Sequence, residues 1–131
     1  MPIVSSKELV KTAKSEIRTL SRDEVSEMKD EDRCVLVDIR DIRELEREGR
    51  IPGAVHAPRG MLEFWIDPDS PYHREVFATE KTLVLFCASA WRSALATKTL
   101  QDMGVTDVAE MDGGFKAWKS EGRAVDEGDR S

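Results

Sequence analysis

The chain has little of what small proteins use to staple themselves. Among 131 residues there are two cysteines, Cys34 and Cys87, and two histidines, His56 and His73. Nothing is spaced as CxxC, and no His/Cys cluster has ligand spacing, which excludes a zinc ribbon or finger and leaves no metal site to propose. In a reducing compartment two such distant cysteines remain free thiols. Apolar runs last only a few residues, too short to span a bilayer. The opening residues MPIVSSKELVKTAKSE hold no basic segment followed by an apolar core, so no secretory leader is read there and a cytoplasmic protein is expected. Repeats and low-complexity tracts are also missing, which excludes solenoids and linker-joined modules. A net charge of −6 weighs against nucleic acid and against anionic membrane as partners.

What is present is an ordinary soluble balance, 40% hydrophobic and 35% charged. The length suits one domain that buries its own core. Ser5 and Glu8 form a capping-box pattern for a helix over 5–16, with Val10, Ala13 and Ile17 recurring at helical spacing. Ile17 to Leu20 reads as extended. Ser21 and Glu24 repeat the capping box, and Leu20 staples onto Val25. Cys34 to Asp38 reads as a buried parallel strand, with Cys34 a small hydrophobe at its start. Asp38 lies at its C-terminal end, where open α/β sheets place their sites; N-capping of the next helix is the alternative. That helix is expected over about 39–47, with Arg40 and Glu44 paired four apart.

A loop from Gly49 to Ala54 leads to a brief strand at Val55 to Ala57. A short helix over 61–66 carries Phe64 and Trp65. Another starts at Ser70 and Pro71 and presents Tyr72, Val76 and Phe77 on one face. Thr82 to Phe86 is a second buried strand, and it delivers Cys87. Ala96, Leu100 and Met103 follow on a helix stopped by Gly104. A third clear strand centres on Val108. Asp112-Gly113-Gly114 turns the chain into a last helix carrying Phe115 and Trp118, and the polar stretch from Glu121 to Ser131 is expected to fray. Strands alternating with helices predict an α/β domain with a mostly parallel sheet and helices on both faces.

The chemistry concentrates at Cys87-Ala88-Ser89-Ala90-Trp91-Arg92-Ser93. A strand, a thiol and a helix N-terminus fall within a dozen residues. Thiolate is the nucleophilic form of cysteine, and the amides and dipole of a helix start favour it. The amides of Ala88 to Ser93 are expected to curl round the sulfur as an anion nest. Arg92 adds a permanent planar charge and Ser93 a further donor. Such a nucleophile is expected to need neither metal nor general base. The cradle suits a persulfide, a phosphocysteine or an arsenylated thiol, and residue types alone do not choose among them.

Three stretches resemble the rhodanese domain, a sulfurtransferase fold. Val37-Asp38-Ile39-Arg40, Glu44 and Gly49-Arg50-Ile51-Pro52-Gly53-Ala54 are similar to its first signature, D-V-R-x-x-x-E followed by G-H-I-P-G-A. The Cys87 loop and Met111-Asp112-Gly113-Gly114-Phe115-Lys116-Ala117-Trp118 follow in the family's order. The resemblance implies a rhodanese-like core over about 17–122. It implies a sulfane sulfur taken up by Cys87 as a persulfide and passed to cyanide, a thiol or a carrier protein, with no cofactor. It also implies that Asp38 supports the loop as a hydrogen-bond acceptor, and that Gly113, Gly114 and Trp118 serve the fold.

Four residues separate Cys87 from Arg92. Cysteine phosphatases of related fold place one more there, so the shorter loop fits a single sulfur better than a tetrahedral phosphate or arsenate. A phosphatase, an arsenate reductase and a non-catalytic binding module remain the rival readings. Ala90 and Trp91 depart from the family loop. Ala90 serves there provided its backbone is not left-handed. Trp91 either walls the entrance for an organic persulfide or a partner protein, or lies beside it on the surface. Arg92 is the loop's one cation, so dianionic thiosulfate is expected to be a poor donor. His56 and His73 are read as structural or surface residues rather than as a partner of Cys87, and Arg59 and Phe64 as lining the pocket mouth.

Overall fold

A computed structural model describes residues 2–127. Five strands form one sheet in the order β1-β5-β4-β2-β3, all neighbours parallel. The strands are β1 (Thr19–Leu20), β2 (Cys34–Asp38), β3 (Val55–His56), β4 (Thr82–Phe86) and β5 (Val108–Met111). The helices are α1 (Ser6–Glu16), α2 (Arg22–Asp30), α3 (Ile42–Glu48), α4 (Leu62–Ile66), α5 (Arg92–Asp102) and α6 (Gly114–Ser120).

Alternation along the strands divides the core in two. Leu36, Val84, Phe86, Ala109 and Met111 face α2 and α6, where Val25, Met28, Phe115 and Trp118 cover them. Val37, Leu83, Leu85 and Val108 face the other way, under Leu62 and Ile66 of α4 and Ala96 and Leu100 of α5. Helices thus cover both faces, as the sequence pattern predicts. Cys34 is buried at the start of β2, and desolvation pushes its thiol up, away from the reactive thiolate. Capping follows the sequence closely at Ser21, where hydroxyl and Glu24 carboxylate exchange bonds with each other's backbone. At Ser5 only half of the box forms, the hydroxyl accepting from the Glu8 amide at 3.1 Å.

Three expectations need correction. The helix after β2 starts at Ile42, because Asp41 caps it and boxes with Glu44; Arg40 therefore precedes the helix and pairs elsewhere. The helix expected from Ser70 and Pro71 does not form. Ser70 instead accepts from the Tyr72 amide, and the Arg74 amide donates to the Trp65 carbonyl while its guanidinium covers the Trp65 ring. Those local bonds leave only a 3₁₀ turn at Glu75–Phe77, with Phe77 buried and Tyr72 exposed. Finally, the C-terminal stretch does not fray from Glu121. Asp126 makes a two-way backbone bridge with Arg50, at 2.9 and 2.7 Å. Residues 128–131 of that expectation lie outside the described residues.

Candidate active site

The central strand β4 runs directly into Cys87, whose carbonyl accepts from the Phe115 amide at 2.8 Å; the Lys116 amide binds the Ala88 carbonyl at 3.1 Å. The start of α6 thus grips the loop from below. Gly114 makes this approach possible. It has φ +67°, and a Cβ there would lie 2.6 Å from both the Cys87 and Ala88 carbonyl oxygens.

Cys87 itself is only 1% exposed. Its Sγ accepts from the Ser93 amide at 3.4 Å and lies 3.6 Å from the Ser93 hydroxyl. Of the six amides expected to surround the sulfur, Ser93's is the one placed as a donor to Sγ. Ala88 and Ser89 carry the chain away from the strand, and Ala90 turns it with φ +65°. The condition set for Ala90 is therefore not met: it holds a left-handed backbone while its methyl is buried. Trp91 occupies the cap position of α5 without a side-chain cap bond and is 68% exposed. With Ser6, Lys7, Val10, Arg92 and Leu95 it lines a groove of about 440 Å³ between α1 and α5.

The charges around the loop exchange the partners that spacing suggests. Arg40 turns back onto Asp38, its Nε and Nη2 2.9 and 2.7 Å from the two carboxylate oxygens, both side chains buried. Its Nη2 also donates to the Gly49 carbonyl, and the guanidinium lies 4.0 Å over the Phe115 ring. Asp38 thus fastens Arg40 between β2, the Gly49 loop and α6. Neither N-capping nor a bond to the loop is what its carboxylate shows. Glu44 receives Arg92 instead, at 2.8 and 3.0 Å. That pairing holds Glu44 below the usual carboxylate range and raises Arg92, with Cys87 adding to the latter.

His56 places Nε2 2.7 Å from the Arg40 carbonyl, a structural contact. Arg59 binds Glu63 at 2.7 Å, and neither it nor Phe64 lines the groove beside Trp91. Among the described residues no three His, Cys, Asp or Glu side chains gather as a metal site requires. Sequence reasoning missed Glu110 and Lys14. The carboxylate of Glu110, wholly buried, accepts from Ser93 at 2.8 Å and from Lys14 at 2.7 Å. The available signal was an acidic residue inside the apolar run of β5.

A family model, the rhodanese-like domain, matches residues 21–121, which includes every loop described above. The chain belongs to the rhodanese-like domain family. A solved structure from Rhodopseudomonas palustris, described as a protein of unknown function and possible tyrosine phosphatase, is 45% identical with a TM-score of 0.89, over 96% of this chain and 99% of that one. Human thiosulfate:glutathione sulfurtransferase is 28% identical, over 76% of this rhodanese-like chain and 91% of its own length. An uncharacterized Bacillus subtilis protein is 32% identical over 63% of this chain. The chain spans 59% of that relative's length. Within this rhodanese-like fold, α1 lies ahead of the family match. Among the described residues no helix is long and apolar enough to cross a membrane.

Proposed function

We propose that the chain is a rhodanese-type sulfurtransferase working through a Cys87 persulfide. The observation that carries this reading is the loop. Four residues separate the thiol from Arg92, and Arg92 already spends both fork nitrogens on Glu44. A phosphate dianion needs a roomy nest and an uncommitted arginine fork. A single sulfur needs only a donor such as the Ser93 amide beside Sγ. The sulfane sulfur comes from thiosulfate or from an organic or protein persulfide and goes to a thiol, to cyanide or to a carrier protein. Membership of the family and the human sulfurtransferase relative support the same class. Asp38 supports the site indirectly, through Arg40. A cytoplasmic setting fits two free buried thiols.

Incubation with a sulfane donor should add about 32 Da, one sulfur, to Cys87, reversibly on reduction and not in Cys87→Ser. Thiosulfate, polysulfide and an organic persulfide form the donor panel. A chain that gains no sulfur from any of them, yet releases phosphate from an aryl phosphate in a Cys87-dependent way, would place it with the phosphatase reading of the Rhodopseudomonas protein. Partner binding that survives Cys87→Ser, with neither activity, would leave a binding module.

A further inference from the structure

A buried carboxylate in a strand is costly unless it is paired and hydrogen-bonded. Glu110 has 0% exposure, on the α5 side of β5. Its Oε1 accepts from the Ser93 hydroxyl at 2.8 Å, and its Oε2 accepts from Lys14 Nζ at 2.7 Å and from the Thr19 hydroxyl at 3.3 Å. Ser93 in turn lies 3.6 Å from Cys87 Sγ. An ionised carboxylate only accepts, so the single Ser93 proton lies toward Glu110 and a lone pair faces the thiol. The line therefore runs unbroken from a buried sulfur to Lys14, whose side chain is 35% exposed. Lys14 stands on α1, ahead of the residues that the family model matches.

Resting on the reading of Cys87 as the nucleophile, we infer that Ser93 and Glu110 form a proton relay for Cys87, and that Lys14 restrains it. The thiol proton passes to Ser93 Oγ as the Ser93 proton passes to Glu110 Oε1. One S–H and one O–H bond break, two O–H bonds form, and the negative charge moves from Glu110 to Sγ with nothing oxidised or reduced. The thiolate is then met by the Ser93 hydroxyl as well as its amide. It attacks the sulfane sulfur, forming the Cys87 S–S bond as the donor's bond breaks. When Cys87 leaves in the second transfer, the reverse shift restores the thiol.

The charges facing this line come from α1, α5, α3 and the starts of β1 and β5. Lys14 of α1 stabilises the charge on Glu110 and so opposes the shift. Arg92, in the first turn of α5, favours the thiolate but is shared with Glu44 of α3. Arg18 and Asp107 pair with each other at 3.2 Å near the ends of β1 and β5, largely exposed and mutually balanced. Glu110 and Lys14 are thus positioning residues, acting on the sulfur through Ser93.

The test follows thiolate absorbance in the ultraviolet against pH, as the difference between the full chain and Cys87→Ser, which cancels Cys34. Two groups sharing one proton give two steps with a partial-thiolate plateau between them. Glu110→Gln should leave one step and no plateau. Lys14→Gln should raise the plateau about threefold, the order expected of a partly exposed ion pair, while Lys14→Arg, which keeps the charge, should restore the parent profile. Opposite effects from the two ends of one ion pair cannot come from a loosened fold. A one-step parent profile would overturn the relay, as would a plateau that Lys14→Gln leaves unchanged or lowers. The Lys14 pair decides the matter even should Glu110→Gln fail to fold. No step of the readout involves sulfur transfer, so an intact plateau without persulfide formation counts against the transferase reading alone.

Discussion

Arg92 and Glu44 meet fork to fork, Nη1 and Nη2 lying 2.8 and 3.0 Å from the two carboxylate oxygens. They join the first turn of α5 to α3 across the mouth of the Cys87 loop. The loop's cation is therefore balanced before any substrate arrives, which gives a structural reason for weak use of dianionic donors.

Glu44→Gln should release that charge. On the sulfur-transfer reading, KM for thiosulfate falls about fivefold, the factor for roughly 1 kcal/mol of attraction in a wet site. Stability changes by at most about 1 kcal/mol, since the pair is partly exposed. The same release should appear in the parent with acid. Glu44 is held below its usual range, Arg92 being the main cause, so the pair is complete above that range and lost as pH falls through the lowered value. Steady-state kinetics with thiosulfate and with a neutral organic donor, from pH 7 downward, check this; equal responses of both donors to Glu44→Gln would count against it.

Gly114→Ala should damage site and fold together. The added carbon meets the Cys87 and Ala88 carbonyls at 2.6 Å in a left-handed backbone, so the start of α6 must back away from the loop. A loss of about 1–2 kcal/mol is expected from the backbone alone, and the clash adds to it. Chemical denaturation measures it, and persulfide loading of the folded fraction should fall as well. Gly104, with open space around its absent Cβ, supplies the control: Gly104→Ala carries the backbone cost without the clash and should leave loading intact.

Much of this arrangement was legible in the chain. Short continuous apolar runs bounded by turn signals located β2 and β4, and the turn residues around Gly113 and Gly114 located the start of α6. Partner choice among charges was not legible. Spacing suggested Arg40 with Glu44, four apart, yet the helix begins two residues later than Arg40, at Ile42. That shift frees Arg40 for Asp38, two residues back, and leaves Glu44 for Arg92, 48 residues on. Ion pairs between elements depend on sheet order, which no local pattern encodes. Glu110 was missed for the same reason: Ser93, Thr19 and Lys14 come to it from three other elements. The failed helix after Ser70 has a different cause, namely side-chain and backbone bonds that compete with a helical start.

Arg40→Met should unfold the chain more readily than any surface change. It leaves the Asp38 carboxylate buried without its partner and removes the cation from the Phe115 face. Breaking a buried pair by deleting one member costs about 3–5 kcal/mol. A denaturant midpoint falling by that much is the expected outcome. Lysine at the same position keeps the charge but not the three-point fork, so Arg40→Lys should recover only part of the loss. Full recovery would mean that charge alone, not the bond to Gly49 and the stacking, holds the site together.

Ala90 separates backbone strain from side-chain packing. It sits at φ +65° with its methyl buried. A left-handed residue other than glycine costs about 1–2 kcal/mol. Ala90→Gly removes that strain, but it also removes one buried methyl, about 0.8 kcal/mol, and loosens the unfolded chain by about 0.4–1 kcal/mol. These terms nearly cancel, so its stability should stay within about 0.5 kcal/mol of the parent. Ala90→Val adds volume at a buried site and a branched carbon where the backbone tolerates it least. It should lose about 2 kcal/mol or more and fail to load sulfur. If Ala90→Gly and Ala90→Val proved equally stable and equally able to load, the left-handed turn at Ala90 would not be shaping the loop around Cys87.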